Sequence, residues 1–219
     1  NDAGPVRQNY PPTLYGRREQ ANRIVRQRPT EGYIKMDNEL ERLGEEEISA
    51  DHVFDGRILH VVNYNVELPN GHTSTREVIR HVGAVCIVAV TDDGRIVMER
   101  QFRFPLGQVI TEIPAGKMDD EGEGWLNAAK REFLEETGYT AAEWTDMGVY
   151  YPAAAYCDEK ITMFLARGLS GGQRKLDEDE FLDVFLMPFE EAVEKIMSGE
   201  ITDGKTQAAI LKAARILEQ

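Results

Sequence analysis

Residues 116–139 read Gly116-Lys-Met-Asp-Asp-Glu-Gly-Glu-Gly-Trp-Leu-Asn-Ala-Ala-Lys-Arg-Glu-Phe-Leu-Glu-Glu-Thr-Gly-Tyr139. Within this stretch Glu132, Glu135 and Glu136 fall at positions i, i+3 and i+4, so on a helix they share one face. Like charges at this spacing repel each other unless a cation neutralises them. Carboxylate oxygens that converge on one point suit Mg²⁺ or Mn²⁺, ions that bridge to substrate phosphates. The pattern therefore predicts a helix that binds a divalent metal ion.

A solvated, Glu-rich surface helix is the competing interpretation of the same segment, since charge runs often form such helices. Leu126, Ala129 and Phe133 argue against it, because they give the helix an apolar stripe beside the acidic face. Gly138 is placed to end the helix as a left-handed cap. The segment is thus expected to be a packed helix with a functional acidic face.

The segment resembles the Nudix box, whose pattern is Gly, five residues, Glu, seven residues, then Arg-Glu-aliphatic-x-Glu-Glu-x-Gly-aliphatic. The second half matches from Glu123 onward, although Phe133 and Tyr139 replace the usual aliphatic residues. The first gap is one residue longer than the pattern, with six residues between Gly116 and Glu123. We interpret the extra residue as an insertion in the turn-rich segment 119–124, because loops absorb changes in length.

Two further segments resemble the ADP-ribose pyrophosphatase branch of the Nudix hydrolases: Gln101-Phe-Arg-Phe-Pro105 and Glu112-Ile-Pro-Ala-Gly116. Residues 199–206, Gly-Glu-Ile-Thr-Asp-Gly-Lys-Thr, also resemble this branch, and the likeness covers roughly residues 50–217. It implies hydrolysis of a nucleoside diphosphate sugar, first of all ADP-ribose to AMP and ribose 5-phosphate. GDP-mannose or another nucleotide sugar is the alternative within the enzyme class. A Nudix-fold module that senses a nucleotide sugar without cleaving it is the alternative outside that class.

The resemblance also implies a metal site. Glu132 and Glu136 would be the main ligands, with Glu135 as an additional ligand and the carbonyl of Ala115 completing the site. The implied cofactor is Mg²⁺ or Mn²⁺, which would neutralise the diphosphate and lower the pKa of a bound water. Arg131 is expected to orient a box carboxylate through a bidentate pair. An ordinary intrahelical salt bridge is the other interpretation of Arg131.

Substrate contacts are implied for Arg103, because a planar guanidinium matches phosphate oxygens, and for Glu112. An exposed strand residue is the alternative for Arg103, and support of the turn at Pro114 is the alternative for Glu112. Arg57 and Arg76 are candidates on the preceding strands, where each could equally be an exposed strand residue.

The general base is expected in the acidic loop 177–180, with Glu180 as the first candidate and Glu178 as the second. A solvated acidic loop is the alternative for this segment. Glu159 is the third candidate. The family usually has Ser-Pro-Gly before an acid at that place, whereas this chain has Pro152-Ala-Ala-Ala, so the geometry of that loop is expected to differ.

The remaining pattern predicts the α+β class, and by resemblance a Nudix-type α/β/α sandwich with a mixed sheet. The strand-like segments are 57–68, 76–90, 95–102, 108–113, 144–151, 160–166 and 181–187, and the helical ones after the box are 189–197 and 203–217. We expect an N-terminal extension at 1–45, a β-hairpin and dimerisation region at 46–80, and a Nudix catalytic domain at 81–219. The resemblance implies a homodimer whose subunits exchange the N-terminal strands and hold adenine partly through the partner chain.

Composition limits the remaining choices. The chain has 219 residues, 42% of them hydrophobic, and a net charge of −14, which argues against nucleic acid as a partner. It has no apolar run of about 18 residues, so no membrane span is expected. Cys86 and Cys157 lack metal-ligand spacing and predict reduced packing residues in a cytoplasmic protein.

Overall fold

The computed structural model describes residues 40, 42–118, 122–171 and 181–218. The strands and helices named below lie in the unit Gly44–Gln219. The strands are β1 (Glu46–Asp55), β2 (His60–Glu67), β3 (Thr73–Arg80), β4 (Ala84–Ala89), β5 (Arg95–Arg103), β6 (Gln108–Glu112), β7 (Ala115–Lys117), β8 (Tyr139–Tyr150), β9 (Ile161–Gly171) and β10 (Leu182–Pro188). The helices are α1 (Trp125–Thr137), α2 (Phe189–Met197) and α3 (Gly204–Leu217), with a short 3₁₀ helix at Phe104–Leu106.

Strand β4 is the centre of the fold. All six of its residues are buried, as expected for a continuous apolar strand covered on both faces. It pairs in parallel with β9 and antiparallel with β7, in a sheet of order β7-β4-β9-β8. Alternate residues serve opposite layers: Val85 and Ile87 pack with α1, whereas Cys86 and Val88 pack with α2 and α3. This is the α/β/α sandwich with a mixed sheet that the sequence predicted.

Helix α1 confirms the predicted box helix and its end. Phe133 is fully buried and meets the ring of Trp144 edge to face. Gly138 has φ 73°, and its N–H donates to the carbonyl of Leu134, which closes the helix as predicted. One detail of the predicted apolar stripe was wrong: Leu126 is 38% exposed, and Ala128 is buried beside Phe133 instead.

A second sheet of order β10-β5-β6 carries two predicted site residues at the ends of its strands. Arg103 is the last residue of β5 and Glu112 the last of β6. Because the two strands are antiparallel, Glu112 lies opposite Glu99 while Arg103 lies opposite Gln108. The tight connection at Phe104–Leu106 keeps the two strands in this register.

The segment 76–90 was predicted as one strand region but forms two strands in different sheets. Strand β3 ends at Arg80 and β4 begins at Ala84. Between them Gly83 takes φ +93°, and a Cβ there would lie 2.6 Å from the ring of Trp125. The break therefore lets the chain pass close beneath the first residue of α1.

The N-terminal region forms a three-stranded sheet of order β1-β2-β3 rather than a hairpin alone. The β2–β3 turn is the predicted one, with Gly71 at φ 79°. Strand β1 was not predicted, and every one of its ten residues is exposed. The exchange of these strands between two subunits stays a prediction. In the part of the chain that the structure describes, no helix has the length and apolar character needed to cross a membrane.

Candidate active site

The acidic face of α1 packs on the short strand β7. Glu136 is only 5% exposed, and its Oε2 accepts a hydrogen bond of 3.0 Å from the backbone N–H of Ala115. A Cβ on Gly116 would lie 1.9 Å from the carboxyl carbon of Glu132. A side chain at this position would force the end of the flexible Glu132 side chain to move, because only glycine lets the backbone approach that carboxylate so closely. Two of the three predicted ligand side chains thus converge on Ala115 and Gly116.

Arg131 links the acids of the box. Its Nε and Nη2 donate to the two carboxylate oxygens of Glu123, at 2.7 and 3.1 Å. Its Nη1 donates to Glu132 at 2.9 Å and to Glu135 at 3.1 Å. The hydrogen bonds with Glu123, followed by those with Glu132 and Glu135, raise the pKa of Arg131 despite partial burial. Arg131 thus forms a bidentate pair with one box carboxylate and an intrahelical pair with Glu135, and its part in orienting the carboxylates stays a prediction.

The donor chemistry of this face fits a divalent cation. Glu132, Glu135 and Glu136 offer only hard carboxylate oxygens, the ligands that Mg²⁺ prefers. Arg131 alone cannot balance these charges together with that of Glu123. Among residues 40, 42–118, 122–171 and 181–218, however, no group of three Asp, Glu, His or Cys side chains is already arranged to hold a metal ion. The fit therefore lies in charge and donor type rather than in a preformed cage.

A second group of charged residues lies where β6 meets the start of α3; we call Arg103, Glu112, Asp203, Lys205 and Thr206 the Glu112 cluster. Nε and Nη2 of Arg103 donate to the two oxygens of Glu112 at 2.7 and 2.9 Å. The ammonium of Lys205 donates to Oε2 of Glu112 and, at 3.0 Å, to Asp203. Asp203 also caps α3 by accepting from the N–H and hydroxyl of Thr206, at 3.0 and 2.6 Å.

Electrostatics place the Glu112 cluster next to the box. Burial opposes the charge of Arg103, but the hydrogen bonds and charge of Glu112 outweigh it and raise the pKa of Arg103. The charges of Asp203 and Glu136 add to this increase. Glu136 accepts a hydrogen bond from Ala115, which follows Glu112 by three residues. The short segment 112–115 therefore contacts both the Glu112 cluster and the acidic face of α1.

Arg57 and Arg76 lie on the N-terminal sheet. Arg57 is exposed in the turn between β1 and β2, because β2 begins only at His60. Arg76 lies on β3, where Glu45 binds its Nε at 2.9 Å and also its Nη2. Its Nη1 donates to the hydroxyl of Ser74 at 3.1 Å. The structure thus gives Arg76 a local partner, and the substrate contacts of both arginines stay predictions.

The candidates for general base differ in what the structure describes. Glu178 and Glu180 belong to residues 172–180, which lie outside the described residues. Glu159 precedes β9, and its Oε1 is 3.7 Å from Nδ1 of His81. That nitrogen also accepts a 3.0 Å hydrogen bond from the N–H of Gly83. Glu159 thus lies beside His81, and its role as the base stays a prediction.

Sequence reasoning missed two charged residues and one buried acid beside the site: Asp203, Lys205 and Glu99. Asp203 and Lys205 stand in the stretch 199–206, which resembles the family, but nothing in it indicated a partner 93 residues away at Glu112. An Asp directly before a helical segment is a cap signal that could have placed Asp203. Glu99 is 3% exposed, and an acid directly after the apolar run 96–98 was the signal for it.

The described fold is an α/β/α sandwich with a mixed central sheet, in which an acidic helix packs on strand β7. Comparison with known families identifies the class of protein. The family described as NUDIX domain matches residues 80–207. The chain belongs to the Nudix family, as its box predicted.

Similar proteins extend this result. The ADP-ribose pyrophosphatase of Bacillus subtilis is 43% identical over 78% of this chain and 93% of its own. The methanol dehydrogenase activator of Bacillus methanolicus is 40% identical over 76% and 90%. The GDP-mannose pyrophosphatase of Escherichia coli K12 is 33% identical over 74% and 88%. The predicted resemblance to the ADP-ribose pyrophosphatase branch is thereby confirmed.

A solved structure agrees with the fold. The crystal structure of an ADP compounds hydrolase superposes with a TM-score of 0.71 at 21% identity, covering 80% of this chain and 94% of that one. At this identity the likeness supports the fold rather than the substrate.

Proposed function

We propose that this protein is a divalent-metal-dependent hydrolase that cleaves ADP-ribose into AMP and ribose 5-phosphate. The observation that carries the proposal is that the acidic face of α1 packs against Ala115 and Gly116. Arg103 lies nearby, since the charge of Glu136 helps to raise its pKa. A cation site beside a guanidinium is what an anionic diphosphate requires. Similarity to an ADP-ribose pyrophosphatase supports the choice of substrate.

The box helix and the adjacent strand β7 would bind the metal ion. Glu132 and Glu136, with Glu135 and the carbonyl of Ala115, would hold Mg²⁺ or Mn²⁺. When bound, the metal would polarise the phosphoryl oxygens and acidify a water molecule. Arg131 would keep the carboxylates of α1 in position through its hydrogen bonds.

Arg103 would bind the diphosphate. Glu112 engages only Nε and Nη2 of its guanidinium, and the side chain is 40% exposed. No described residue accepts a hydrogen bond from Nη1, which leaves that edge available for a phosphate oxygen. Glu112 itself is almost fully buried, so its part would be to fix Arg103 rather than to touch the sugar.

Proton removal from the attacking water would fall to one of the predicted acids. Glu180 is our first candidate, Glu178 the second and Glu159 the third. Glu159 lies beside His81, with its Oε1 3.7 Å from Nδ1 of that ring.

We further propose a cytoplasmic homodimer. The three-stranded sheet β1-β2-β3 would meet the second copy, and Arg57 and Arg76 would reach the substrate of the partner. The two cysteines, Cys86 and Cys157, are free thiols, which supports a reducing compartment. Sedimentation that gives a monomer at micromolar concentration would remove the dimer.

GDP-mannose is the second candidate substrate, because a GDP-mannose pyrophosphatase is 33% identical over most of its length. Within a Nudix site the two substrates would share the diphosphate contact of Arg103 and differ in their base and sugar contacts. The non-catalytic sensor stays the alternative outside the enzyme class.

Turnover on a panel of nucleotides tests these proposals together. The panel contains ADP-ribose, GDP-mannose, UDP-glucose, NADH and diadenosine polyphosphates, each with Mg²⁺, with Mn²⁺ and with chelator. We expect metal-dependent release of AMP from ADP-ribose at the highest kcat/KM. A preference for GDP-mannose would replace the substrate and keep the mechanism. Tight binding of ADP-ribose without release of AMP would support the sensor and contradict the enzyme.

A further inference from the structure

Lys205 is a buried cation with two acidic partners. Its side chain is only 13% exposed, and it contacts Glu112, whose side chain is 2% exposed, and Asp203. A buried ammonium is costly unless carboxylates compensate for its lost hydration. Burial lowers the pKa of Lys205, but the charges of Asp203 and Glu112 outweigh burial and raise that pKa. Lys205 therefore carries its charge at neutral pH.

Glu112 is shared between two cations. Its Oε2 accepts from both Nη2 of Arg103 and the ammonium of Lys205. Glu99, a second buried acid, lies opposite Glu112 in the strand pair and so on the same face of the sheet. The charges of Glu112, Asp203 and Glu136 all act on Arg103, and Lys205 pairs with the first two of these acids. Without Lys205, Arg103 would be the only cation among the described residues that pairs with Glu112.

We propose that Lys205 is a positioning residue for substrate binding: it neutralises Glu112 and Asp203 so that Arg103 presents its positive charge to the diphosphate. This inference rests on the proposed function, since it concerns the same anion contact. Lys205 does not touch the substrate in this account and acts only through Glu112 and Arg103. It should therefore affect substrate affinity far more than the chemical step.

Three variants test the proposal. Lys205→Met keeps the length of the side chain but removes its charge. We expect KM to rise about 10-fold, the effect on affinity of losing one hydrogen bond to a charged group, and kcat to stay almost unchanged. Asp203→Asn in the Lys205→Met background removes one acid and keeps a residue that can cap α3, so KM should return toward the wild-type value. Lys212→Met, an exposed lysine on the same helix, is the matched control and should leave both constants unchanged.

Two outcomes would overturn the proposal. One is a fall in kcat at constant KM for Lys205→Met, because Lys205 would then act on the reaction itself. The other is a KM that stays raised in the Asp203→Asn, Lys205→Met double variant while its melting temperature matches the wild type. If Lys205→Met fails to fold, the double variant, which buries one charge fewer, gives the same comparison with the wild type.

A spectroscopic measurement separates this proposal from the proposed function. The Nε–H resonance of Arg103 is assigned by its loss in Arg103→Lys and is then followed without substrate. Lys205→Met should shift it and Lys212→Met should not. A wild-type protein without turnover on any nucleotide would refute the proposed function while the resonance still reports on Lys205. A resonance that Lys205→Met leaves in place would refute the role of Lys205 even in an active enzyme.

Discussion

The two acidic groups at the site differ in how their charge is balanced. Glu112 lies between Arg103 and Lys205, and its side chain is 2% exposed. On α1, Arg131 is shared among Glu123, Glu132 and Glu135. Among the described residues Glu112 pairs with two cations, whereas Arg131 is shared by three acids of the box. The difference fits the proposal that the first group supports Arg103 and the second receives a cation from solution.

Burial explains why the two groups can differ. An ionised carboxylate as buried as Glu112 must be paired inside the protein, because water cannot stabilise it. Glu135 is 39% exposed, so water and ions can reach it. Glu136 is buried, and its Oε2 accepts the hydrogen bond of the Ala115 N–H.

Replacement of the buried box acid should have the largest effect. Glu136→Gln keeps an oxygen to accept the Ala115 N–H, so the fold should survive. It removes one charge from the metal site, and we expect kcat to fall about 10²–10³-fold, the loss typical when one group that stabilises transition-state charge is removed. Steady-state kinetics at saturating Mg²⁺ measures the loss. Glu190→Gln on α2, an exposed acid, is the control; equal activity in the two variants would place the metal elsewhere.

A methyl group at Gly116 should separate activity from stability. Gly116→Ala places a Cβ 1.9 Å from the carboxyl carbon of Glu132, so that flexible side chain must swing away from the site. We expect a loss of about 10²-fold in kcat/KM, as for a misplaced catalytic group, with a melting temperature near the wild type. Gly171→Ala, where a Cβ meets nothing within 4 Å, is the matched control. A Gly116→Ala variant with full activity would show that the position of Glu132 is unimportant.

Truncation of Arg103 tests the other half of the comparison. Arg103→Ala leaves Glu112 paired with Lys205, so the fold should persist, but the contact with the diphosphate is lost. We expect KM to rise about 10–100-fold, in line with about 1.5–3 kcal/mol for a hydrogen bond to a charged group. Initial-rate measurements over a range of ADP-ribose concentrations give KM and kcat separately. An unchanged KM would mean that other residues bind the diphosphate.

The smallest effect concerns Cys86, which lies behind the Glu112 cluster. Burial raises the pKa of its thiol to about 12, and the nearby Lys205 and Asp203 act in opposite directions. Because only the thiolate reacts, Cys86 should resist iodoacetamide at pH 8, whereas the half-buried Cys157 is modified first. Mass spectrometry of timed samples gives both rates, and urea should expose both residues. Rapid native alkylation of Cys86 would show that the region of the cluster opens easily.

Local patterns predicted much of this molecule. The spacing of three acids and a terminal glycine located α1, and an Asn-Gly turn located the β2–β3 hairpin, because both signals depend on neighbouring residues only. Strand β1 was not predicted because all its residues are exposed, so no buried face imposes an alternation of apolar and polar residues on its sequence.

Contacts between residues far apart in the sequence could not be predicted. The pairing of Glu112 with Lys205 joins two segments 93 residues apart, and no pattern within either segment specifies its partner. The acidic face of α1 could be predicted because its three acids fall within about one helix turn. The network that supports Arg103 could not, because it exists only after β6 and α3 have packed together.

Direct measurement of Mn²⁺ binding tests the central claim, that the box carboxylates of α1 receive a divalent cation. Titration of the wild type, Glu136→Gln and Lys205→Met with Mn²⁺, followed by electron paramagnetic resonance without substrate, isolates binding from catalysis. We predict that Glu136→Gln weakens Mn²⁺ binding at least about 10-fold, as the loss of even a supporting group does, while Lys205→Met binds as the wild type does. Equal Mn²⁺ affinity in the wild type and Glu136→Gln would contradict the account.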